Sequence, residues 1–259
     1  VAHVLTWLLG PYFAAHAIVF AVLNRNPGFD AHAYWLAGQG DLVYSRAAGQ
    51  TDAFLYSPAF AFVIRPLTVL DWPFFLATWV IIEAVLLVWL LKPLQLRWSI
   101  PLFLLCVPEL VNANIFILLA ACAVMGIGRP GYWAFPLLTK ITSGVGLVWF
   151  AVRGEWRRVL QALGFTITVV AVSYILTPTE WHSWINFLAT QSGGTQDGLF
   201  SFVLRCMLAA CVVAWGAKKN WPWLIAPAMV IASPVFALPT LTLLVAIPRL
   251  STAGSGGAK

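Results

Sequence analysis

Residues 72–91 read WPFFLATWVIIEAVLLVWLL, and Glu83 is the one charge among them. A helix needs about 20 mostly apolar residues to cross the roughly 30 Å hydrocarbon layer of a bilayer, and this run has that length and composition. The apolar residues do not alternate with polar ones, so the run suits a spanning helix rather than a strand of a membrane barrel.

The rest of the chain repeats the pattern. Apolar residues make up 61% of the 259 and charged residues only 9%, whereas a soluble domain carries about a quarter charged residues. Together with a mean hydropathy of +0.86, this excludes a water-soluble enzyme and predicts an all-α, polytopic integral membrane protein with about six to ten spans. Of the 14 tryptophans, Trp7, Trp72, Trp98, Trp133, Trp156, Trp181, Trp221 and Trp223 stand where apolar runs end, as in an interfacial aromatic belt. The formal charge of +6 comes from basic residues scattered in pairs between apolar runs, which argues for membrane orientation and against nucleic acid. Cys106, Cys122, Cys206 and Cys211 lie inside apolar runs without CxxC spacing. His3, His16, His32 and His182 do not share a helix face, so neither a disulfide framework nor a metal site is expected.

Working outward from 72–91, a first span is expected at about 4–23, too long and too weakly flanked by positive charge for a cleaved signal peptide. A long polar loop follows at 24–57, then a short apolar run at 58–70 that is tilted, re-entrant or part of a span beginning near Phe54. Residues 99–127 are interrupted by Pro108, Glu109, Asn112 and Asn114, which predicts two short helices or one broken helix facing protein or water. Clear spans are expected at 131–152, 159–177 and 200–217. The stretch 221–248, broken at Ser233 and Pro234, reads as a kinked span or a helical hairpin. Residues 1–250 form a single transmembrane domain in this reading, and the tail 251–259 (STAGSGGAK) is expected to be disordered.

Arg153, Arg157 and Arg158 cluster in one turn and Lys218 with Lys219 in another, which assigns both to the cytoplasm. Counting outward puts loops 24–57 and 178–199 on the extracytoplasmic face. Lys92 and Arg97 join the cytoplasmic set only if 58–70 does not cross. No fixed-period repeat and no matching halves are visible, and midplane polar residues are too few for a transporter or flippase path.

The chemistry concentrates in residues 29–66, FDAHAYWLAGQGDLVYSRAAGQTDAFLYSPAFAFVIRP. Asp30 follows the first span directly, where a carboxylate can serve as general base towards a hydroxyl or can cap a helix. On a helix starting there, Tyr34 shares its face and His32 does not. Arg46, Arg65, Lys140 and Arg205 are candidates to meet a phosphate; snorkelling or pairing with a carboxylate is the competing reading for each. Glu83, inside a span, needs a partner, for which Arg65 is the candidate. Glu180, His182 and Asp197 in the second outer loop are read as a cover for substrate or as plain solvated loop.

Several ordered segments resemble glycosyltransferase family 87, of the GT-C superfamily, which includes polyprenyl-phosphate-mannose-dependent mannosyltransferases. They are Asp30 with Ala33, Tyr34 and Trp35; Val43 and Tyr44; Phe54, Tyr56, Ser57 and Pro58 ahead of Arg65 and Pro66; residues 109–115 (ELVNANI); residues 137–158 (LLTKITSGVGLVWFAVRGEWRR); and residues 181–188 (WHSWINFL). The resemblance implies a GT-C-like bundle of about 7–10 transmembrane or re-entrant helices with Asp30 as catalytic aspartate. It places Tyr34, Arg46, Tyr56, Arg65, Asn112, Asn114 and Lys140 as substrate-binding. It also implies a lipid-linked donor such as polyprenyl-phosphate-mannose, a lipid or glycan acceptor, membrane lipids as surroundings, no metal or other cofactor, and a bacterial inner-membrane location serving the cell envelope. Asn112, Ala113 and Asn114, and Thr142 with Ser143, depart from the family pattern. They keep open a second reading, a non-catalytic accessory subunit of a larger membrane complex.

Overall fold

The computed structural model describes residues 2–40, 44, 46, 49–190, 198–234 and 237–255. Among these every regular element is a helix, as the composition requires of a chain that must satisfy its backbone inside lipid. The chain runs through α1 (Ala2–Leu23), α2 (Phe29–Gln39), α3 (Pro58–Ile64), α4 (Trp72–Leu91), α5 (Leu96–Leu105), α6 (Val107–Asn112) and α7 (Phe116–Gly128). It continues through α8 (Ala134–Thr139), α9 (Leu147–Val152), α10 (Trp156–Leu176), α11 (Pro178–Thr190), α12 (Gly198–Lys219), α13 (Ile225–Ile231) and α14 (Ile247–Ser255).

Four helices, from His3–Leu23, Trp72–Leu91, Trp156–Leu176 and Gly198–Lys219, are long and apolar enough to cross a bilayer. They are the expected spans, and they turn apolar side chains outward: Ile167 is 64% and Ile175 75% exposed on α10, as suits a face covered by lipid. The seven residues of α3 reach only about 10 Å, so 58–70 does not cross. Pro58 opens that helix at a position where its missing N–H costs nothing, and Ser57 anchors it by donating its hydroxyl to the Leu138 carbonyl at 2.6 Å.

Three expected segments are built differently. Residues 99–127 form three helices rather than two, because Pro108 starts α6 and Ala113, at φ 52, ends it. Residues 131–152 are not one span: 3₁₀ turns at Pro130–Trp133 and Ile141–Gly146 separate α8 from its neighbours. Prolines 130 and 136 and glycines 144 and 146 weaken a continuous helix there, and Gly146 is required by packing, since a Cβ on it would overlap the buried Trp133 indole. In the 221–248 stretch, α13 and the 3₁₀ segment Leu238–Ala246 pack on each other and α14 returns to the start at Pro222–Leu224, which is the hairpin alternative. The helix α14 continues to Ser255.

Loops 24–57 and 178–199 contain helices too, α2 in the first and α11 in the second; Asp41 and Asp197 lie outside the described residues. Basic residues outnumber acids at one end of the bundle, where Glu155 pairs with Arg153 and Arg158. At this end Trp7 Nε1 donates to the Arg97 carbonyl at 3.1 Å, Arg249 Nε to the Trp89 carbonyl at 2.6 Å and Arg153 Nη1 to Asn220 Oδ1 at 3.2 Å. Lys92, Lys218 and Lys219 close helices there. The other end carries Asp30, Asp52, Asp71 and Glu180, with Arg46 and Arg65 paired to two of them.

Candidate functional site

The site is assembled where α2 docks on the α6–α7 turn. Gly28 precedes α2 at φ 74, a conformation that favours glycine, and a Cβ there would meet Leu76 and Trp72 of α4. Its N–H donates to the Val111 carbonyl of α6 at 2.8 Å, which pins the start of α2 against α6. Gly28 thus takes the N-cap position, and Asp30 is left in the first helical turn with its side chain free of a capping bond.

That side chain turns to Asn114. Asp30 Oδ2 accepts from Asn114 Nδ2 at 3.0 Å, while Asn114 Oδ1 accepts from the Ile115 N–H at 2.7 Å and from the Tyr34 hydroxyl at 3.4 Å. The Ile115 N–H holds the oxygen of the amide, so its nitrogen must face Asp30. The left-handed turn at buried Ala113 lets Asn114 reach across, a backbone conformation unusual for a residue with a Cβ. Tyr34, 1% exposed, also meets the Tyr56 hydroxyl at 3.3 Å, and Tyr44 donates to the Tyr56 carbonyl at 3.0 Å. Asp30, Tyr34, Tyr56 and Asn114 therefore form one hydrogen-bonded group drawn from three distant parts of the chain.

Lys140, at the break between α8 and the following 3₁₀ turn, supplies the positive charge that acts on Asp30. Its Nζ stands 3.5 Å from the Phe116 ring centroid, and the Phe116 N–H donates to Glu109 Oε1 at 3.0 Å. Burial pushes the Asp30 carboxyl up from 3.8 to about 6, against the pull of the Lys140 charge and the Asn114 hydrogen bond. A carboxylate with that pKa is ionised at neutral pH and more basic than an exposed aspartate, as a general base must be.

Of the remaining sequence candidates, Arg46, Arg65 and Arg205 stand elsewhere. Arg46 donates to Asp52 Oδ2 at 2.9 Å and to the Thr51 carbonyl at 2.7 Å, and His32 Nδ1 lies 2.5 Å from Asp52 Oδ1. Burial raises the Asp52 carboxyl, but its bonds to His32 and Arg46 outweigh that and leave it below the ordinary value. Arg65 is turned to the Gly38 carbonyl at 3.3 Å and to Glu180 at 3.5 Å. The expected Arg65–Glu83 pair does not form, because Glu83 lies about 16 Å along α4 from Trp72 while Arg65 ends α3 beside α2 and α11. Glu83 is fully buried near Glu109 and Asp30. Arg205 Nη1 donates to the Ser233 carbonyl at 2.9 Å, holding the break after α13. Asn112 ends α6, half-buried.

Glu109 was missed as a site residue. An acid in an otherwise apolar stretch is the signal that marked Glu83, and it applied equally here.

A polytopic helical bundle that holds a half-buried carboxylate and a half-buried amine at one end of its spans has the makings of a membrane enzyme acting on lipid-borne substrates. The chain belongs to glycosyltransferase family 87, whose model matches residues 54–254, and it is by that family a membrane glycosyltransferase. The match takes in Tyr56, Arg65, Asn112, Asn114 and Lys140, while Asp30 and Tyr34 lie upstream of it. No curated protein and no solved structure matches the chain significantly.

Proposed function

We propose that this protein transfers a hexose, mannose in the first instance, from a polyprenyl-phosphate donor to a hydroxyl of a lipid or glycan acceptor, on the extracytoplasmic face of a bacterial inner membrane. The observation that carries the reading is the half-buried Asp30 carboxylate, held by Asn114 and within the field of the half-buried Lys140, one group to take a proton and one to meet a phosphate.

In this reading the Asp30 carboxylate accepts the acceptor hydroxyl's proton as its oxygen bonds to the sugar's anomeric carbon. The bond from that carbon to the phosphate oxygen breaks, its electron pair leaves with the polyprenyl phosphate, and the configuration inverts. Lys140 meets the charge that grows on the phosphate, in a surrounding from which water is largely excluded and where such a charge counts for more. Tyr34, Tyr56, Asn112 and Asn114 line the sugar, whereas Arg46 and Arg65, each already facing an acid, hold the outer helices together. The sidedness rests on the basic end of the bundle remaining cytoplasmic.

The donor class is tested in proteoliposomes given either a radiolabelled polyprenyl-phosphate hexose or a nucleotide-linked one. Label should move to an acceptor from the first only; transfer from the nucleotide sugar alone would overturn the assignment.

A further inference from the structure

A groove of about 370 Å³ opens between α4 and α5 at the basic end of the bundle. Val88, Ile100, Phe103 and Leu104 are among its apolar walls, and Val88, Leu96 and Ile100 are exposed, as suits a face covered by lipid. From Leu96 to Leu104 it follows α5 for about 12 Å, and so leads from the helix end into the depth of a hydrocarbon layer. Two polar side chains, Lys92 and Ser99, line it, and no acidic one does.

Lys92 stands at the mouth. The 20 residues of α4 before it reach about 30 Å, the thickness of the hydrocarbon layer, which sets its ammonium at the level of lipid head groups. Aromatic side chains mark the same level: Trp7 Nε1 donates to the Arg97 carbonyl at 3.1 Å, and the Trp98 and His3 rings meet edge-on at 5.0 Å. The Lys92 ammonium is exposed and has no hydrogen-bond or ion-pair partner among the described residues, and the same holds for the Arg97 guanidinium. Between Glu83 and Glu109 the sequence holds these two cations and no acid. Arg249, whose Nε donates to the Trp89 carbonyl on the last turn of α4, adds a third positive charge nearby.

A lipid of net negative charge answers both parts of this groove. Its phosphate finds a cation and a hydroxyl at the mouth, and its acyl chain finds apolar walls below them. A zwitterionic lipid fits less well, because its own ammonium must then stand among Lys92, Arg97 and Arg249.

We propose that this groove binds an anionic phospholipid, its phosphate on the Lys92 ammonium and the Ser99 hydroxyl and one acyl chain between α4 and α5. This goes beyond the transfer reading: the groove lies at the end of the spans remote from Asp30, and the outcome is independent of whether Asp30 catalyses anything.

The test uses the full chain in phosphatidylcholine nanodiscs carrying a trace of one of two photoprobes, phosphatidylglycerol or phosphatidylcholine with the same diazirine-bearing acyl chain. Crosslinks to residues 96–104 are compared with those to residues 210–217 of α12, which lie outside the groove but beside Lys218 and Lys219 and so report the pull of basic side chains at the membrane surface. The preference for phosphatidylglycerol should be about fivefold greater at 96–104 than at 210–217, the effect of about one further basic group close to the lipid phosphate. Lys92→Met should remove that excess, and Lys92→Arg, which keeps the charge and the reach, should stay within about twofold of the wild type. Equal preference at the two segments of the unaltered protein would overturn the proposal, and so would an excess that persists in Lys92→Met. The first comparison needs no variant, so a misfolded Lys92→Met cannot obscure it.

Discussion

Replacing Asn114 by Ala removes the side-chain hydrogen bond that, among the described residues, holds the ionised form of Asp30. With Asp30 as general base, transfer rises with pH as its carboxyl ionises, reaching half its plateau at about 6. A hydrogen bond to a charged acceptor contributes about 1.5–3 kcal/mol, and the lower figure suits a group that retains some contact with solvent. At about 1.4 kcal/mol per pH unit, losing it moves the midpoint up by about one unit, towards 7. The same variant frees the Ile115 N–H and the Tyr34 hydroxyl, so the plateau rate falls as well. Asn114→Asp adds a negative charge in place of the amide and should move the midpoint further still. The assay is initial transfer rate across a pH series with saturating donor in proteoliposomes. A midpoint that stays at 6 in Asn114→Ala, or that moves to lower pH, refutes the assignment of this limb to Asp30.

Asp30→Asn should be more stable than the wild type at neutral pH while losing activity. Because burial raises the Asp30 pKa from 3.8 to about 6, the fold binds that proton more tightly than the unfolded chain does, and it loses stability as pH rises between those values. The neutral amide escapes a penalty of about 3 kcal/mol above pH 6 and gains nothing below pH 4, read as melting temperature in detergent at the two extremes. Gly146→Ala should lower the melting temperature by an amount corresponding to about 1–3 kcal/mol, since its Cβ overlaps the fully buried Trp133, and Trp133→Phe in the same chain should recover part of the loss. Lys140→Ala should cut the transfer rate by about a hundredfold or more, the scale of removing one group that stabilises transition-state charge. Arg46→Ala, which loses the partly exposed Asp52 pair and the bond to the Thr51 carbonyl, should stay within a few-fold in the same assay.

The spans were legible because hydropathy over some 20 residues is a local property: 72–91 and the runs near 4–23, 159–177 and 200–217 each became one helix. Residues 131–152 did not, because their mean hydropathy is that of a span while Pro130, Pro136, Gly144 and Gly146 act on single turns, and averaging over the run hides them. Asp30 and Tyr34 could be placed on one face from helical spacing alone, and the structure joins them through Asn114. That link was out of reach of local reasoning, since Asp30 and Asn114 are 84 residues apart and meet only because Gly28 lets α2 approach α6. The cations show the same limit. Arg46, Arg65 and Lys140 are equivalent as charges in a sequence, and what separates them is that Asp52 and Glu180 pair with the first two while Lys140 lies in the field of Glu109 and Asp30.

The central claim is that Asp30 takes the proton of the acceptor hydroxyl, and single-turnover transfer from a radiolabelled polyprenyl-phosphate hexose by Asp30→Asn in membranes tests it most directly. Asparagine keeps the size and the contact with Asn114 but is no base, so transfer should fall by at least about a hundredfold while donor binding persists. Transfer at the wild-type rate by a folded Asp30→Asn protein would contradict it.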